Sequence, residues 1–356
     1  MIDDLIIRAG RHILGMIRDG GFDWRRIGVY YGSACGPRWL VNSGFDLTLL
    51  EKGCLGQGRS VLLVGASSGA WRLAAWTQPE PAESYRTLRE AYIEAVYRRG
   101  ETPLSIRQAL SGIIDRYLEQ DALPFAIANR TYRLAVITAR ARHLAASERS
   151  WLQKAGLALC FAGNFLHQQA IHRFFERVVF YTGPKPPGFC LQDSFQGRFL
   201  PFSPYNFKPA VLASGAIPLA VAGVRDIFGA PRGVYRDGGL VDYHINQRYT
   251  NSANDITLFF HHQEHSRPTW MDKNVQSRHT PHEFLGNVLM LHPSPSFVAG
   301  LPDGKIPDRT DLVTYADDQR TRIKNWRRAV EQSAHLGESF LELVESGQIR
   351  HAVQPL

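Results

Sequence analysis

With 356 residues, 44% of them apolar and 21% charged, the chain has the composition of an ordinary globular protein, which excludes disordered and fibrous classes. Lys and Arg number 41 against 33 Asp and Glu, a net charge of +8. That balance favours phosphate-bearing partners, nucleic acid or an anionic membrane, without choosing between them. Cys35, Cys54, Cys160 and Cys190 form no CxxC pair, so neither a disulfide framework nor a cysteine zinc site is expected, and a reducing compartment suits them. Asp3 and Asp4 stand where a secretory signal would be basic. The most apolar helical stretch, Ala155 to Leu166, is too short to span a bilayer. The expected location is cytoplasmic, at most peripheral to membranes.

Apolar residues recur at helical spacing from Ile2 to Ile17, which predicts an amphipathic helix over 2–19 that docks on the core or lies on a membrane. Ile27–Tyr31 reads as a strand running into Gly32-Ser33-Ala34-Cys35-Gly36-Pro37-Arg38, and Trp39–Leu50 as a helix. Ser60–Val64 is an apolar run bounded by glycines, the pattern of a strand buried on both faces, with a helix from Ser67. Ser84–Leu118 reads as a helical insertion, Thr131–Thr138 as a strand, Ser147–Glu176 as a long helix and Val178–Tyr181 as a strand. Lys208–Pro218 is helical, and Gly233–Arg236 is extended and enters Asp237-Gly238-Gly239. Ile256–Phe260 and Val288–Leu291 complete the strands, and Asp311–Val344 (311–346 with its flanks) forms a C-terminal helical extension. Buried-type strands separated by helices predict one α/β domain over 1–356, with a core of about 25–295. Its architecture would be a three-layer sandwich around a mainly parallel sheet.

Gly65-Ala66-Ser67-Ser68-Gly69 is a Gly-x-Ser-x-Gly pentapeptide with a strand before it and a helix after it. Those two conditions make such a turn a candidate nucleophile elbow, because tiny neighbours let the chain fold back on itself. Ser67 would be the nucleophile, and it needs a base. None of the 13 histidines stands out as that partner. Asp237 does, at the end of a strand, followed by Gly238 and Gly239, which permit close backbone approach.

Four segments in order resemble the patatin-like phospholipase family: the loop Gly32–Arg38, the elbow Gly65–Gly69, Ala213-Ser214-Gly215-Ala216-Ile217-Pro218, and Asp237-Gly238-Gly239-Leu240-Val241-Asp242. The resemblance covers about Val29 to Asn246. It implies a serine lipid acyl hydrolase with a Ser67–Asp237 dyad and no metal or other cofactor. It also implies an oxyanion hole of backbone N–H groups near Cys35 and Gly36, with Arg38 at the family's cationic position, meeting a phosphate or bracing the loop. Ala34 and Cys35 stand where the family usually has glycine, and Pro37 lacks an N–H. The expected substrate is a phospholipid, lysophospholipid or other acyl ester, with an anionic membrane surface as a partner and no nucleic acid. The same dyad also suits a thioesterase or acyltransferase, and a decayed oxyanion loop would leave a lipid-binding protein. Composition says nothing of the oligomeric state.

Three further patterns carry less. Gly53–Ser60 has the spacing of a phosphate-binding loop but precedes a strand instead of following one. His261-His262-Gln263-Glu264-His265 has a zinc-protease spacing but continues a strand, so a surface turn is expected. The basic run Arg320–Arg328 is flanked by acidic residues and reads as a solvated helix face.

Overall fold

Continuous apolar runs capped by glycine or polar residues become strands buried on both faces, because each face of their sheet is covered by helices. The computed structural model describes residues 4–192, 197–250, 252 and 254–356. Its strands are β1 (Leu5–Ala9), β2 (Ile27–Gly32), β3 (Val61–Ala66), β4 (Tyr132–Ala141), β5 (Phe175–Tyr181), β6 (Arg198–Pro201), β7 (Val224–Arg225), β8 (Val234–Arg236), β9 (Ile256–Phe260), β10 (Val288–Pro293) and β11 (Gln354–Pro355). They join in one sheet, ordered β11-β1-β10-β9-β2-β3-β4-β5-β6, with β8 paired to β4 and β7 to β8. β10, β9, β2, β3 and β4 run parallel, while β1 joins β10, and β5 joins β4, in antiparallel fashion.

Alternate residues of each strand feed two cores. Tyr30, Leu134 and Val136 face one, where the helices Ser43–Glu51, Ser68–Ala75, Pro81–Glu94, Pro103–Tyr117 and Phe207–Ser214 pack with the C-terminal helices. Tyr31, Ala135 and Ile137 face the other, under the Ser150–Leu166 helix and the irregular chain around Tyr249 and Met271. The fold is the three-layer α/β arrangement that the strand and helix patterns predict. Among the described residues, no helix is long and apolar enough to cross a membrane.

The structure corrects several elements. In place of the N-terminal amphipathic helix over 2–19 there is strand β1 and then a helix, Leu14–Gly20; Ile2 and Asp3 lie outside the described residues. Leu5, Ile7 and Ala9 alternate inward. A Cβ on Gly10 would lie 1.9 Å from the Leu285 carbonyl oxygen, and the Gly10 amide bonds to the Val288 carbonyl, so the chain is drawn into the sheet edge. Arg8 pairs with Glu264 at 2.7 Å. The long helix expected over Ser147–Glu176 breaks after Leu166, and Phe175 and Glu176 already belong to β5. The C-terminal extension is three helices, Thr310–Thr314, Gln319–Ser333 and His335–Glu345. The basic run there is not wholly solvated: Arg322 is buried over the Trp326 ring and donates to the Ala95 carbonyl, while Arg327 pairs with Glu94.

Candidate active site

Sheet register brings the two halves of the site together. β3 pairs with β4 up to Ala66 opposite Ile137, and β8 approaches the same strand from the other direction with Arg236 opposite Ala139. One residue beyond each register, at the level of Thr138, stand Ser67 and Asp237. Ser67 Oγ donates to Asp237 Oδ2 at 2.7 Å, and the residues are 3% and 6% exposed.

The glycines around them are there for space. A Cβ on Gly69 would lie 2.0 Å from the Gly32 carbonyl oxygen, and one on Gly65 would lie 2.6 Å from Ala70 Cα. These close approaches let the Ser68–Ala75 helix start directly over β2 and β3. Between them Ser67 has φ 55° and ψ −129°, a conformation that non-glycine residues rarely adopt and that persists where the surroundings enforce it. Gly238 crosses the sheet, with a Cβ there only 2.2 Å from the Ile137 carbonyl oxygen, and the Gly239 amide donates to Asp237 Oδ1 at 2.7 Å.

The segment Ala213–Pro218 touches both partners. Ser214 Oγ accepts from the Ser67 amide at 2.9 Å and donates to the Ile137 carbonyl at 2.6 Å, while the Ala216 carbonyl accepts from the Asp237 amide at 3.0 Å. Asp242 forms a buried bidentate pair with Arg177, both contacts 2.7 Å, fastening the base turn to β5. Behind the elbow Arg72 is fully buried against Asp46, whose carboxylate also receives the Tyr30 and Tyr85 hydroxyls. Burial works against the Arg72 charge, but Asp46 prevails and holds it well above the ordinary arginine value.

Burial pushes the Asp237 carboxyl above the usual range, against the opposing pull of Arg309, the Ser67 hydroxyl and the Gly239 amide. A buried carboxylate with raised basicity, hydrogen-bonded to a serine on a strained turn, has the geometry and electrostatics that a nucleophile and its base require. The nearby Cys35 thiol is pushed up by burial and stays protonated at neutral pH.

In the glycine-poor loop, the Ala34 amide donates to the Tyr243 carbonyl at 2.9 Å and the Cys35 amide reaches Ser68 Oγ at 3.4 Å. Gly36, with φ +57°, opens a 3-10 turn running to Asn42, and Ser68 opens the helix after the elbow. The first amides of a helix have no acceptor within it, and among the described residues those of Gly36 and Ser68 have none elsewhere. Both residues border the apolar cavity that reaches Ser67. Arg38 pairs with Asp308 at 3.5 Å.

That cavity is walled by Trp71, Tyr92, Ile106, Leu110, Val221 and Leu312, with Arg309 also on its border. The expected insertion Ser84–Leu118 thus supplies part of the wall. The Ser147–Glu176 region supplies none of it and packs under the opposite face of the sheet.

The His261-His262 turn is buried, contrary to the expected surface turn, because β9 ends beneath the Tyr243–His244 segment. His244, His261 and His262 bring nitrogens within 4.8 Å of one another, the three residues among those described with metal-ligating groups in reach. Burial pushes all three down, His261 to about 3. The Arg267 amide donates to His244 Nδ1 at 2.8 Å, so the proton of neutral His244 sits on Nε2, and that nitrogen is not a ligand. His261 Nδ1 and His262 remain, an incomplete set for a zinc site.

The structure brings Ser67, Asp237 and their glycines together. The roles of Arg72, Asp46 and Arg309 carry no local sequence signal. Only Ser214 could have been found beforehand, as the lone polar side chain of its small-residue segment. No protein-family model matches the chain, and no curated protein matches it either.

Proposed function

We propose that the protein is a lipid acyl hydrolase that cleaves a carboxylic ester of a phospholipid or lysophospholipid, with Ser67 as nucleophile and Asp237 as general base. The observation that carries the reading is the 2.7 Å hydrogen bond between them, set beside an apolar cavity whose lining suits an acyl chain. The resemblance of the four motifs to the patatin-like phospholipase family supports it independently.

Asp237 takes the Ser67 proton as Oγ attacks the ester carbon. The amides of Gly36 and Ser68 receive the negative charge that develops on the carbonyl oxygen. Collapse breaks the carbon–oxygen bond to the alcohol, which leaves with the proton from Asp237, and the acyl group stays on Ser67. Water then attacks the acyl carbon, gives a proton to Asp237, and the carboxylic acid departs as Ser67 regains its proton. The net charge of +8 suits work at an anionic lipid surface.

Acyl release from mixed phospholipid vesicles, with products identified by mass spectrometry, tests the reading. Wild type is expected to release fatty acid, and Ser67→Ala and Asp237→Asn are expected to release none while keeping their circular dichroism spectra. Release by Ser67→Ala at the wild-type rate would remove the nucleophile and the reading with it.

A further inference from the structure

We propose that the Ser150–Leu166 helix is the membrane-docking element of the protein and lies flat on a lipid bilayer, its outer apolar face sunk among headgroups and upper acyl chains. That lipid is what covers this face rests on the hydrolase reading above; the exposure of the face does not.

The helix is inside out. A surface helix ordinarily turns its apolar stripe to the core and its charges outward. Here the buried positions are Gln153, Gly156, Cys160 and Asn164, all polar or small. Trp151, Leu159, Phe161, Phe165 and Leu166 stand outward instead, between 46% and 74% exposed. Lys154 is the one charged residue in the helix. A single exposed apolar side chain is ordinary, but five large ones on one helix make the kind of patch that marks an interface.

Its inner face fastens the helix beside the site. Gln153 Oε1 accepts from the Leu219 amide at 2.8 Å, next to Ala220 and Val221 of the cavity wall. Asn164 Nδ2 donates to Asp272 Oδ1 at 2.8 Å, close to Trp270, which borders a small hollow with Asp237. Two segments that border the site are thus tied to this one helix. Its 17 residues span about 25 Å, short of a bilayer's hydrocarbon core. With its inner face bound to protein, it can lie on a bilayer but not cross one.

The charges select the occupant. Arg149, Lys154 and Arg173 are exposed on or beside the helix and, among the described residues, make no ion pair. The carboxylates nearby are engaged, Glu148 by Arg236, and Glu176 by Arg140 and Arg142. Trp, Phe and Leu on one face with cations at its border is the make-up of an interfacial helix on anionic lipid. A second copy seated on the same face would set a patch whose unpaired charges are all positive against itself.

Co-sedimentation with vesicles of mixed phosphatidylcholine and phosphatidylglycerol tests the proposal without needing catalysis. Wild type is expected to bind, and Leu159→Ser and Phe165→Ser each to bind about 10-fold more weakly or worse. Phe125→Ser, at another exposed phenylalanine but just before β4, should bind as wild type does. Cleavage of a soluble short-chain ester is expected to be the same in all three variants, so that the loss falls on vesicles alone. Phosphatidylcholine with brominated acyl chains should quench tryptophan emission in wild type and less in Trp151→Phe. No binding by wild type, undiminished binding by Leu159→Ser and Phe165→Ser, or equal quenching in Trp151→Phe would overturn the proposal. So would a wild-type dimer that Phe165→Ser makes monomeric, because the face would then belong to a second copy. Vesicle binding without release of fatty acid would leave the docking face standing and overturn the hydrolase reading instead.

Discussion

Asp237 carries two opposing demands. Burial raises its pKa, so above that value the folded state holds an ionised carboxylate at a cost the unfolded chain does not bear. A raised carboxyl pKa contributes stability below the unfolded value of about 3.9 and loses it as pH rises through the folded value. Asp237→Asn is therefore expected to melt at a higher temperature than wild type at pH 7, while losing turnover; a lower Tm would contradict the burial argument. In the proposed mechanism Asp237 acts in its ionised form, so the acid limb of kcat/KM should lie above the ordinary aspartate range. It should move to still higher pH in Arg309→Gln, because the Arg309 charge helps keep Asp237 ionised. A limb that does not move would separate Arg309 from the base. Ser67 and Asp237 are legible in the sequence because each sits in a turn whose glycines are local. Arg309 is not, since its place is fixed by Asp308, Arg38 and Gly36, which meet only across the fold.

Among the elements, Ser67 is held in its turn because a helix starts almost on top of two strands. Gly69→Ala would push a Cβ against the Gly32 carbonyl, backbone on backbone, where neither can yield cheaply. The variant is expected to lose activity and at least about 1–3 kcal/mol of stability in denaturant unfolding. A wild-type midpoint would contradict the close approach. The Asp46–Arg72 pair seats the same helix from behind. Asp46→Asn leaves a buried guanidinium without its counter-charge and is expected to cost about 3–5 kcal/mol; a loss below about 1 kcal/mol would contradict the account. Strands β2, β3 and β9 are legible because nearly all their residues are apolar or glycine. The N-terminal segment misleads because Leu5, Ile7 and Ala9 satisfy strand alternation while Ile2 to Ile17 also fits helical spacing. Pairing with β10 decides between them, and that partner lies far along the chain. The Ser147–Glu176 region misleads at its end, where Phe175 and Glu176 are claimed by β4.

For the whole molecule, the buried histidines set the response to acid. His244, His261 and His262 are held neutral by burial, His261 down to about 3, whereas in the unfolded chain they take up protons near pH 6.5. Depressed values mean stability that is present above that pH and is lost as pH falls toward the folded value, by about 1.4 kcal/mol per histidine per pH unit. Unfolding free energy should therefore drop between pH 6 and 4, and His262→Phe should flatten the slope; an unchanged slope would place that histidine's proton uptake elsewhere. In the proposed mechanism one sheet register sets Ser67 against Asp237 and makes it a nucleophile. Labelling with a fluorophosphonate, followed by peptide mass spectrometry, tests it most directly. A single adduct on Ser67 is expected, absent from Ser67→Ala and strongly reduced in Asp237→Asn. No adduct on the folded wild type, or equal labelling of Ser67→Ala, would contradict it.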